Sequence, residues 1–395
     1  MREAVIVAAC RTAIGRAPRG TLRLTRPEYM GTTVLKEVIR RTPGLDPKEI
    51  DDVVMGCTFP EAEQGLNIGR VIVQKAGLPD DVPGVTLNRF CSSGLNAISM
   101  ACERVMCGMT EVMVAGGIES MSLIPMGGNM MMVDPELGGN TPWAYEGMGM
   151  TAENVANDFK ISRADMDALG VRSNELALKA IAEGKFKDEI VPLTVTKQRP
   201  SKKKKGYFEL YEETFDTDEG PRPTTLESLA KLRPAFTKTG TVTAGNSSQM
   251  SDGAAAVMIM SKEKAKSLGL KPLLTYRSFA VAGVDPRYMG IGPVKAIPKA
   301  LKLAGIDKDK LDLIELNEAF ASQALYCQRE LGLNMDVINV NGGAIALGHP
   351  LGCTGAKLTT QLAYEMQRRG SRYGMVSMCI GFGMGAAGIF EREDY

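Results

Sequence analysis

The chain contains an internal repeat, and this feature restricts its fold more than any other. The stretch GLDPKEIDDVVMG at residues 44–56 returns as GIDKDKLDLIELN at residues 305–317. In both copies a helix is predicted to end, a short Gly-Asp connection follows, and an apolar strand begins. Two copies of one α/β unit indicate two duplicated halves, one over residues 1–120 and the other over residues 270–395.

A second pair of similar segments also occurs in the two halves. Cys91 precedes a helix of small residues and then the strand VMVAGG at 112–117, while His349 precedes another such helix and then the strand YGMVSMCIG at 373–381. Continuous apolar strands that alternate with helices predict parallel sheets covered on both faces. Strand ends and helix starts of such sheets gather on one face, where sites form. The polar residues at these junctions are Cys91, Asn317, His349 and Cys379.

Residues 121–250, between the halves, have a different composition. The stretch Met121–Asn154 is rich in Met, Gly and Pro, and six basic residues between Lys197 and Lys205 precede six acidic ones between Glu209 and Glu219. We interpret the Lys202–Lys205 run as part of a solvated hairpin whose charges face the acidic stretch. The alternative is that it attracts an anionic ligand tail, such as a nucleotide phosphate. We predict an inserted loop domain that covers a site.

Charge and hydropathy exclude several classes of protein. The net charge is +1, which argues against a general nucleic-acid binder or a membrane-surface binder. No apolar stretch reaches the roughly 18 residues of a membrane span. The apolar start, Met1–Cys10, is too short for a signal peptide, and we interpret it as a buried first strand. We therefore expect a soluble, cytoplasmic protein of two or three domains.

The cysteines and the histidine restrict metal and redox chemistry. Eight cysteines stand at irregular spacings with no CxxC pair, which favours free thiols over a disulfide framework. The chain has one histidine, His349. A zinc or iron site would have to rely on carboxylates or thiolates, so we expect no metal.

Cys91 opens the motif CSSG, just before a predicted helix. A helix N-terminus lowers the pKa of a thiol and favours the nucleophilic thiolate. The alternative is a buried cysteine that behaves as a small hydrophobic residue. The local sequence leaves both open.

Cys379 follows an apolar strand and enters the glycine-rich turn CIGFGMG, where free backbone N–H groups can bind an oxyanion. Residues 383–388 also form a GxGxxG pattern. A dinucleotide fingerprint needs a following helix and an acidic residue roughly 20 positions later, but the sequence ends at Tyr395. We reject that interpretation.

His349 lies between glycines and a proline, in a turn suited to aiming its side chain as a base or oxyanion donor. Asn317 ends the repeated strand and can donate a hydrogen bond or hold a water. It can equally be the N-cap of a helix that starts near Glu318. Residues 244–248 are either an ordinary loop or a wall along which an amide-bearing cofactor arm slides.

Taken together, the motifs resemble those of the thiolase family over essentially the whole chain. No single motif is specific, but their order and spacing are. They are VIVAACRTAIG (5–15), NRFCSSGLNAI (88–98), GGIESMS (116–122), MGMTAEN (148–154), KLRPAF (231–236), TVTAGNSS (241–248), LNEAFA (316–321), GGAIALGHPLGCTGA (342–356) and CIGFGMG (379–385).

The resemblance implies an α/β fold with two duplicated βαβαβαββ halves in a layered α-β-α-β-α core. It divides the chain into an N-terminal half (1–120 plus 251–269), a loop domain (121–250) and a C-terminal half (270–395). It also implies a homodimer or homotetramer, a possible complex with a β-oxidation hydratase–dehydrogenase subunit, and no permanently bound cofactor. Coenzyme A and acyl-CoA would be substrates.

The resemblance assigns a role to each site residue. Cys91 would carry the acyl group as a thioester, His349 would activate it, and a water held by Asn317 would help His349 stabilise one oxyanion. Cys379 would be the acid/base. The remaining assignments are the N–H groups of Cys91 and Gly381 as a second oxyanion hole, Met148, Ala244 and Ser248 along the pantetheine tunnel, and Arg222 at the nucleotide end.

Within the family, the degradative 3-ketoacyl-CoA thiolases are most similar. Acetoacetyl-specific members usually carry a histidine where this chain has Gly147. Phe382 stands where many members have glycine, and we expect it to narrow the pocket beside Cys379. We also expect an adaptable methionine cover for the acyl pocket, although core packing explains such residues equally well. The cover would consist of Met126, Met130, Met131, Met132, Met148 and Met150.

We therefore predict thiolysis of 3-ketoacyl-CoA to acetyl-CoA and a shortened acyl-CoA. The alternatives are an acetoacetyl-CoA thiolase that condenses two acetyl-CoA, a condensing enzyme of the same superfamily, and a non-catalytic lipid carrier or scaffold. The motif at residues 379–385 argues against the condensing enzyme. The intact set of four junction residues argues against the scaffold.

Overall fold

The structure is a computed structural model that describes residues 2–202 and 204–393. Its strands are β1 (Ala4–Thr12), β2 (Gly15–Arg16), β3 (Asp52–Gly56), β4 (Val85–Leu87), β5 (Val112–Ser120), β6 (Ile190–Val191), β7 (Leu193–Pro200), β8 (Phe208–Phe215), β9 (Ser251–Ser261), β10 (Leu274–Gly283), β11 (Leu313–Leu316), β12 (Tyr373–Ile380) and β13 (Met384–Glu391).

The helices cover both faces of the strands. They are α1 (Pro27–Arg40), α2 (Ile68–Ala76), α3 (Ser93–Met106), α4 (Pro135–Asn140), α5 (Met148–Asp158), α6 (Arg163–Ala182), α7 (Leu226–Ala230), α8 (Lys262–Ser267), α9 (Gly292–Ala304), α10 (Ala321–Leu331), α11 (Ala344–Leu347) and α12 (Leu351–Arg369).

The main sheet runs in the order β11-β12-β13-β10-β1-β9-β5-β3-β4, with β2 beside β9 and β6 beside β1. The two halves join where β1 pairs with β10. Parallel sheets were expected, but the sheet is mixed: the pairs β11–β12 and β3–β5 are parallel, whereas β9 and β13 run antiparallel to both neighbours. The tight turn between β12 and β13 forces the reversal of β13, since a parallel neighbour needs a long crossover.

The layered α-β-α-β-α arrangement is confirmed. Helices α3 and α12 pack against each other between the two parts of the sheet, α1 packs on the outer face of the first half, and α9 on that of the second. Three apolar clusters fill the spaces between these layers. The first strand is confirmed as well, since every residue of β1 is buried.

The repeat has a structural counterpart in two aspartates. The Asp51 carboxylate accepts the backbone N–H groups of Glu111 and Val112, and the Asp312 carboxylate accepts those of Arg372 and Tyr373. Each aspartate therefore fixes the start of the next parallel strand in its own half.

The small residues of α3 and α12 explain how the central layer forms. A Cβ on Gly94 would lie 2.8 Å from the backbone nitrogen of Ala356, and a Cβ on Gly355 would lie 2.2 Å from that of Leu95. The two contacts are reciprocal, as expected of two halves related by an approximate two-fold axis. Only glycine at these two positions lets the helix backbones approach so closely.

Residues 121–250 lie between β5 and β9 and hold α4–α7 together with β6–β8. The charged segment is a hairpin in which β7 pairs with β8, and Lys197 and Arg199 form ion pairs with Glu213 and Glu209. The hairpin is confirmed, but Lys202, Lys204 and Lys205 lie in its turn, where Lys204 contacts the Tyr207 ring, and that the charges of this run face the acidic stretch stays a prediction. Lys203 lies outside the described residues. The division into three domains stays a prediction.

Within residues 2–202 and 204–393, no helix combines the length and apolar character that crossing a membrane requires.

Candidate active site

A cavity of about 530 Å³, a size typical of small-molecule sites, lies where the two halves meet. Cys91, His349 and Cys379 all line it, and Asn317 lies directly behind His349. The prediction that these junction residues gather at one place is confirmed. The remaining wall is largely apolar and includes Met121, Met126, Met148, Met150, Met250 and Met289.

A tight turn holds Cys91 against the cavity. Residues Phe90–Ser92 form one 3₁₀ turn that leads directly into α3, and Phe90 has a left-handed backbone with φ of 45°. The Ser93 hydroxyl accepts the Arg89 backbone N–H at 2.8 Å and donates to the Phe90 carbonyl at 2.6 Å. These bonds stabilise the strained turn and fix the thiol at the start of the helix.

The protonation state of Cys91 differs from the expectation. Burial raises the pKa of this thiol to about 12, although the backbone N–H groups of Gly381 and of Cys91 itself lower it by donating toward the sulfur. The helix N-terminus therefore does not produce a resting thiolate, because desolvation of the charge dominates. Cys91 is a thiol at rest and needs a base at the moment of attack.

His349 is held by its backbone and by one ring nitrogen. Its backbone N–H donates to the Gln249 carbonyl at 3.2 Å and to the Ser251 hydroxyl at 3.1 Å. Its Nδ1 lies 2.6 Å from Thr354 Oγ1, which also donates to the Pro350 carbonyl at 2.9 Å. Since the threonine has only one hydroxyl proton, Nδ1 must be the donor in the ring contact.

The second ring nitrogen agrees with that tautomer. The Asn317 side chain donates a hydrogen bond from its Nδ2 to His349 Nε2, and the two nitrogens lie 3.3 Å apart. Burial lowers the pKa of His349 to about 3, and the charge of Lys357 adds to the effect. The imidazole is therefore neutral and its Nε2 carries no proton, which is the form that can accept a proton from a thiol.

Asn317 is not a helix cap, contrary to one of the two expectations. The helix after β11 begins at Ala321, and its N-cap is Phe320. Asn317 instead donates its backbone N–H to the Ser377 carbonyl at 2.9 Å. Its side-chain Oδ1 is buried and finds no hydrogen-bond partner in the described part of the chain. A buried acceptor of this kind is suited to holding a water or a substrate donor.

Cys379 lies near the end of β12, fully buried beside Met289 and Ala319. Burial raises the pKa of this thiol well above its usual range, and the nearby sulfurs of Cys91 and Cys327 add to the effect. As with Cys91, desolvation in an apolar pocket keeps the proton on the sulfur.

Among the residues expected at the cofactor arm, Met148, Ala244 and Ser248 line the cavity. The Ser248 N–H donates to the Ala319 carbonyl at 2.9 Å, which ties this loop to the second half. Arg222 is half-buried near Arg16 and is not among the lining residues. The roles of Met148, Ala244 and Ser248 along the pantetheine tunnel and of Arg222 at the nucleotide end remain predictions.

Two expectations about the pocket are wrong. Met130, Met131 and Met132 are strongly exposed and do not line the cavity. Phe382 does not narrow it either: its ring stacks on Phe90 with centroids 5.4 Å apart and meets Tyr145 edge-on at 5.6 Å. Phe382 has a left-handed backbone with φ of 62°, and the residue is 46% exposed.

Thr354 is a functional residue that the sequence analysis missed, since its bond to His349 Nδ1 fixes the tautomer. Its place five residues after His349, directly before the small-residue helix predicted from Gly355, could have identified it. Phe236 and Met289 also line the cavity, and no role was predicted for either, although Phe236 ends the motif KLRPAF.

No group of three or more His, Cys, Asp or Glu side chains is arranged to bind a metal ion anywhere in residues 2–202 and 204–393.

Both halves of the chain match family models of known proteins. The family model "Thiolase, N-terminal domain" matches residues 4–263, and "Thiolase, C-terminal domain" matches residues 270–392. A 3-ketoacyl-CoA thiolase of Bacillus subtilis is 55% identical over 392 residues, which cover 99% of this chain and 100% of that protein. An acetyl-CoA acetyltransferase of Syntrophomonas wolfei is 45% identical and covers 99% of both chains.

Two further relatives extend the comparison. A peroxisomal 3-ketoacyl-CoA thiolase of Arabidopsis thaliana is 45% identical, covering 99% of this chain and 86% of that protein. The crystal structure of the Bacillus anthracis acetyl-CoA acetyltransferase superposes with a TM-score of 0.89 at 41% identity, over 99% of both chains.

Proposed function

Because the chain belongs to the thiolase family, we propose that it cleaves 3-ketoacyl-CoA with CoA, giving acetyl-CoA and a shortened acyl-CoA as in fatty-acid β-oxidation. The observation that carries the proposal is that Cys91, His349 and Cys379 line one apolar cavity. Breaking a C–C bond beside a ketone needs a nucleophile at one carbonyl, a stabilised enolate at the next, and a separate acid/base.

In the first half-reaction, Cys91 attacks the 3-keto carbon as its proton passes to Nε2 of His349. The C2–C3 bond then breaks, and its electron pair stays on C2 as the enolate of acetyl-CoA. Cys379 donates its proton to C2, which releases acetyl-CoA. The acyl group stays on Cys91 as a thioester. The neutral state of His349 supports this order, because the base must be unprotonated when the substrate arrives.

In the second half-reaction, the Cys379 thiolate takes the proton of an incoming CoA thiol. The CoA sulfur attacks the acyl thioester, and the Cys91 sulfur leaves and regains its proton from His349. Both thiols return to their starting state, so the cycle balances without an added oxidant, reductant or metal.

Two sites can bind the oxyanions of these steps. The N–H groups of Cys91 and Gly381 converge on the Cys91 sulfur, where the carbonyl of an acyl-cysteine would lie. On the other side, the protonated Nε2 of His349 and a water on the free Oδ1 of Asn317 would bind the second oxyanion. Desolvation makes each hydrogen bond stronger here than in water.

For the CoA arm, we assign Met148, Ala244 and Ser248 to the pantetheine wall, which their places in the cavity support. Arg222 is our candidate for the nucleotide phosphates. No carboxylate forms an ion pair with it among the described residues, which leaves its guanidinium available.

The alternative is an acetoacetyl-CoA thiolase that condenses two acetyl-CoA, a possibility that the acetyl-CoA acetyltransferases among the relatives keep open. Gly147 favours thiolysis of longer chains. It lines the cavity, and a Cβ placed on it would meet no atom within 4 Å, so this wall leaves room for an acyl chain.

We further propose that the protein works as a homodimer or homotetramer in the cytoplasm, with a hydratase–dehydrogenase complex as a further possibility. Light scattering on the purified protein tests the oligomeric state. Co-purification of the tagged chain from its own cells tests the complex.

The reaction is tested by CoA-dependent thiolysis of 3-ketoacyl-CoAs from four to sixteen carbons, with Cys91→Ala as the control. Higher kcat/KM on medium or long chains, lost in the variant, is the expected result. Activity confined to the four-carbon substrate would establish the acetoacetyl alternative, and no activity on any chain would refute the thiolysis proposal.

A further inference from the structure

Lys357 is a buried lysine for which neither the fold nor the proposed chemistry accounts. It lies on α12, is fully inaccessible to solvent, and forms no ion pair within the described residues. The polar contact that the structure gives its Nζ is the Gly348 carbonyl, at 3.5 Å. Burying an ammonium without an adjacent carboxylate costs several kcal/mol, so a stabilising role does not explain it.

Its position on the helix is also unfavourable for stability alone. The side chain runs back toward the N-terminus of α12, where the helix dipole repels a cation. The carbonyl it contacts belongs to Gly348, the residue just before His349. Gly348 has φ of 84°, and a Cβ there would lie 2.3 Å from the Ser251 hydroxyl that accepts the His349 N–H. The lysine therefore contacts the turn that aims the imidazole.

The charges around Lys357 do not cancel it locally. Arg11 is already paired with Glu189 and Asp218. Burial raises the pKa of Glu315 to about 8, although the charge of Lys357 acts in the opposite direction, and the two side chains form no ion pair within the described residues. Burial and the nearby Arg11 lower the pKa of Lys357, while Asp218 and Glu315 act in the opposite direction.

The groups facing His349 are few. The thiols of Cys91 and Cys379 line the same cavity, and both hold their protons. The Glu119 carboxylate accepts the Gly352 N–H at 2.8 Å, and the Asp252 carboxylate accepts the backbone N–H and the hydroxyl of Ser122. Among the charged groups of the described residues, Lys357 is the one whose field changes the pKa of His349.

We propose that Lys357 is a positioning residue for thiolysis: its ammonium contacts the Gly348 carbonyl, holds the Gly348–His349 turn, and places a positive charge beside the imidazole that takes the proton of Cys91. The same charge makes Nε2–H a stronger donor to an oxyanion once that proton has been taken. The inference rests on the proposed function, in which His349 is the base.

The single histidine makes the test unusually direct. In the intact protein labelled with ¹³C and ¹⁵N histidine, the imidazole signals belong to His349 without assignment. Three proteins are compared: the native chain, Lys357→Gln, which keeps an N–H donor but loses the charge, and Lys357→Arg, which keeps the charge. Lys185→Gln is the matched control, because that lysine contacts Asn341 and Glu183 instead.

In the native protein we expect a neutral imidazole with the proton on Nδ1 down to pH 5. Lys357→Gln should raise the midpoint of the His349 titration by about 1 to 3 pH units, giving a measurable imidazolium fraction at pH 5. Lys357→Arg and Lys185→Gln should titrate like the native protein. In the pH profile of kcat/KM, the apparent pKa on the acid side should rise in Lys357→Gln and in none of the other proteins.

An unchanged midpoint in Lys357→Gln would overturn the proposal, even if activity fell. Should that variant not fold, an imidazolium signal in the native protein near pH 6 would overturn it as well. The titration needs no turnover, so it separates this inference from the proposed reaction. A native protein without thiolysis activity but with the predicted titrations would refute the reaction and leave the electrostatic role of Lys357 intact.

Discussion

The two halves of the molecule share one frame but supply different chemistry. In both, an aspartate fixes the start of a parallel strand, and a central helix packs on its counterpart through a glycine. Counted from Asp51 and Asp312, the first half has Gly56, Asn88 and Ile118 where the second has Asn317, His349 and Cys379. The first half contributes Cys91, where the second has a glycine of α12, Gly352.

The difference teaches that the duplicated frame supplies position while single residues supply chemistry. Helices α3 and α12 meet near their N-termini, so the residues that precede them are brought to one cavity. The nucleophile comes from one half and its polar partners come from the other. Lys357 follows the same rule, since its counterpart Asn96 is a neutral amide bonded to Arg89.

The sharpest way to test this division is to remove one thiol from each half. Cys379→Ala should lower kcat for thiolysis by about 10³-fold or more, since it removes the acid/base of both half-reactions. Because Cys91 and its oxyanion hole remain, this variant should still accept an acyl group from acyl-CoA. Intact-protein mass spectrometry would detect the acyl-enzyme.

Cys91→Ala provides the contrast, since it should lose turnover and acylation together. Cys353→Ala is the matched control, because that buried thiol lies on α12 outside the cavity. An acyl group found on Cys379 in Cys91→Ala would reverse the assignment of the two thiols.

The contact between the halves is tested by adding one methyl group. Gly355→Ala would place its Cβ 2.2 Å from the Leu95 backbone nitrogen, and backbone cannot move aside as a flexible side chain can. We expect a loss of about 3 kcal/mol in the free energy of unfolding, measured by guanidinium denaturation. Gly283→Ala is the control, since its Cβ would meet nothing within 4 Å. Equal stability of the two variants would show that the close helix contact is not needed.

The tautomer of His349 depends on a hydroxyl of its own half. Thr354→Val keeps the shape but leaves Nδ1–H buried without an acceptor, which costs about 1–3 kcal/mol. We expect kcat to fall by about 10- to 100-fold with little change in KM. Thr360→Val is the control, because its hydroxyl donates to the Ala356 carbonyl on the same helix. A native rate in Thr354→Val would mean that the tautomer is fixed by Asn317 alone.

The sequence predicted the frame better than the details of the site. The repeat, the buried first strand and the gathering of Cys91, His349 and Cys379 all follow from apolar runs and from where strands end. Strand direction did not follow, because an apolar run reports burial and not the direction of its neighbours. The protonation states also required the structure, since the dipole effect on Cys91 is outweighed by desolvation that only the assembled cavity produces.

Side-chain direction set another limit on prediction. Met130–Met132 and Phe382 were expected at the pocket, yet their side chains are exposed and do not line the cavity. Neighbours in the chain share a location, but backbone angles decide which of them faces a ligand. The left-handed φ of Phe382 is such a case, and no sequence pattern announces it.

The smallest expected effect concerns Phe382, whose ring stacks on Phe90 and joins the turns on either side of the oxyanion hole. Phe382→Gly removes the ring but relieves the left-handed backbone, which costs a non-glycine residue about 1 kcal/mol. Phe382→Leu removes the ring and keeps the strain. We therefore expect the free energy of unfolding of the glycine variant to lie within about 1 kcal/mol of the native value. The leucine variant should be less stable than the glycine variant by about 1 kcal/mol. Since Phe382 lies outside the cavity, neither change should alter the chain-length profile of thiolysis. A shift of that profile toward longer chains in Phe382→Gly would show that the ring closes the acyl pocket after all.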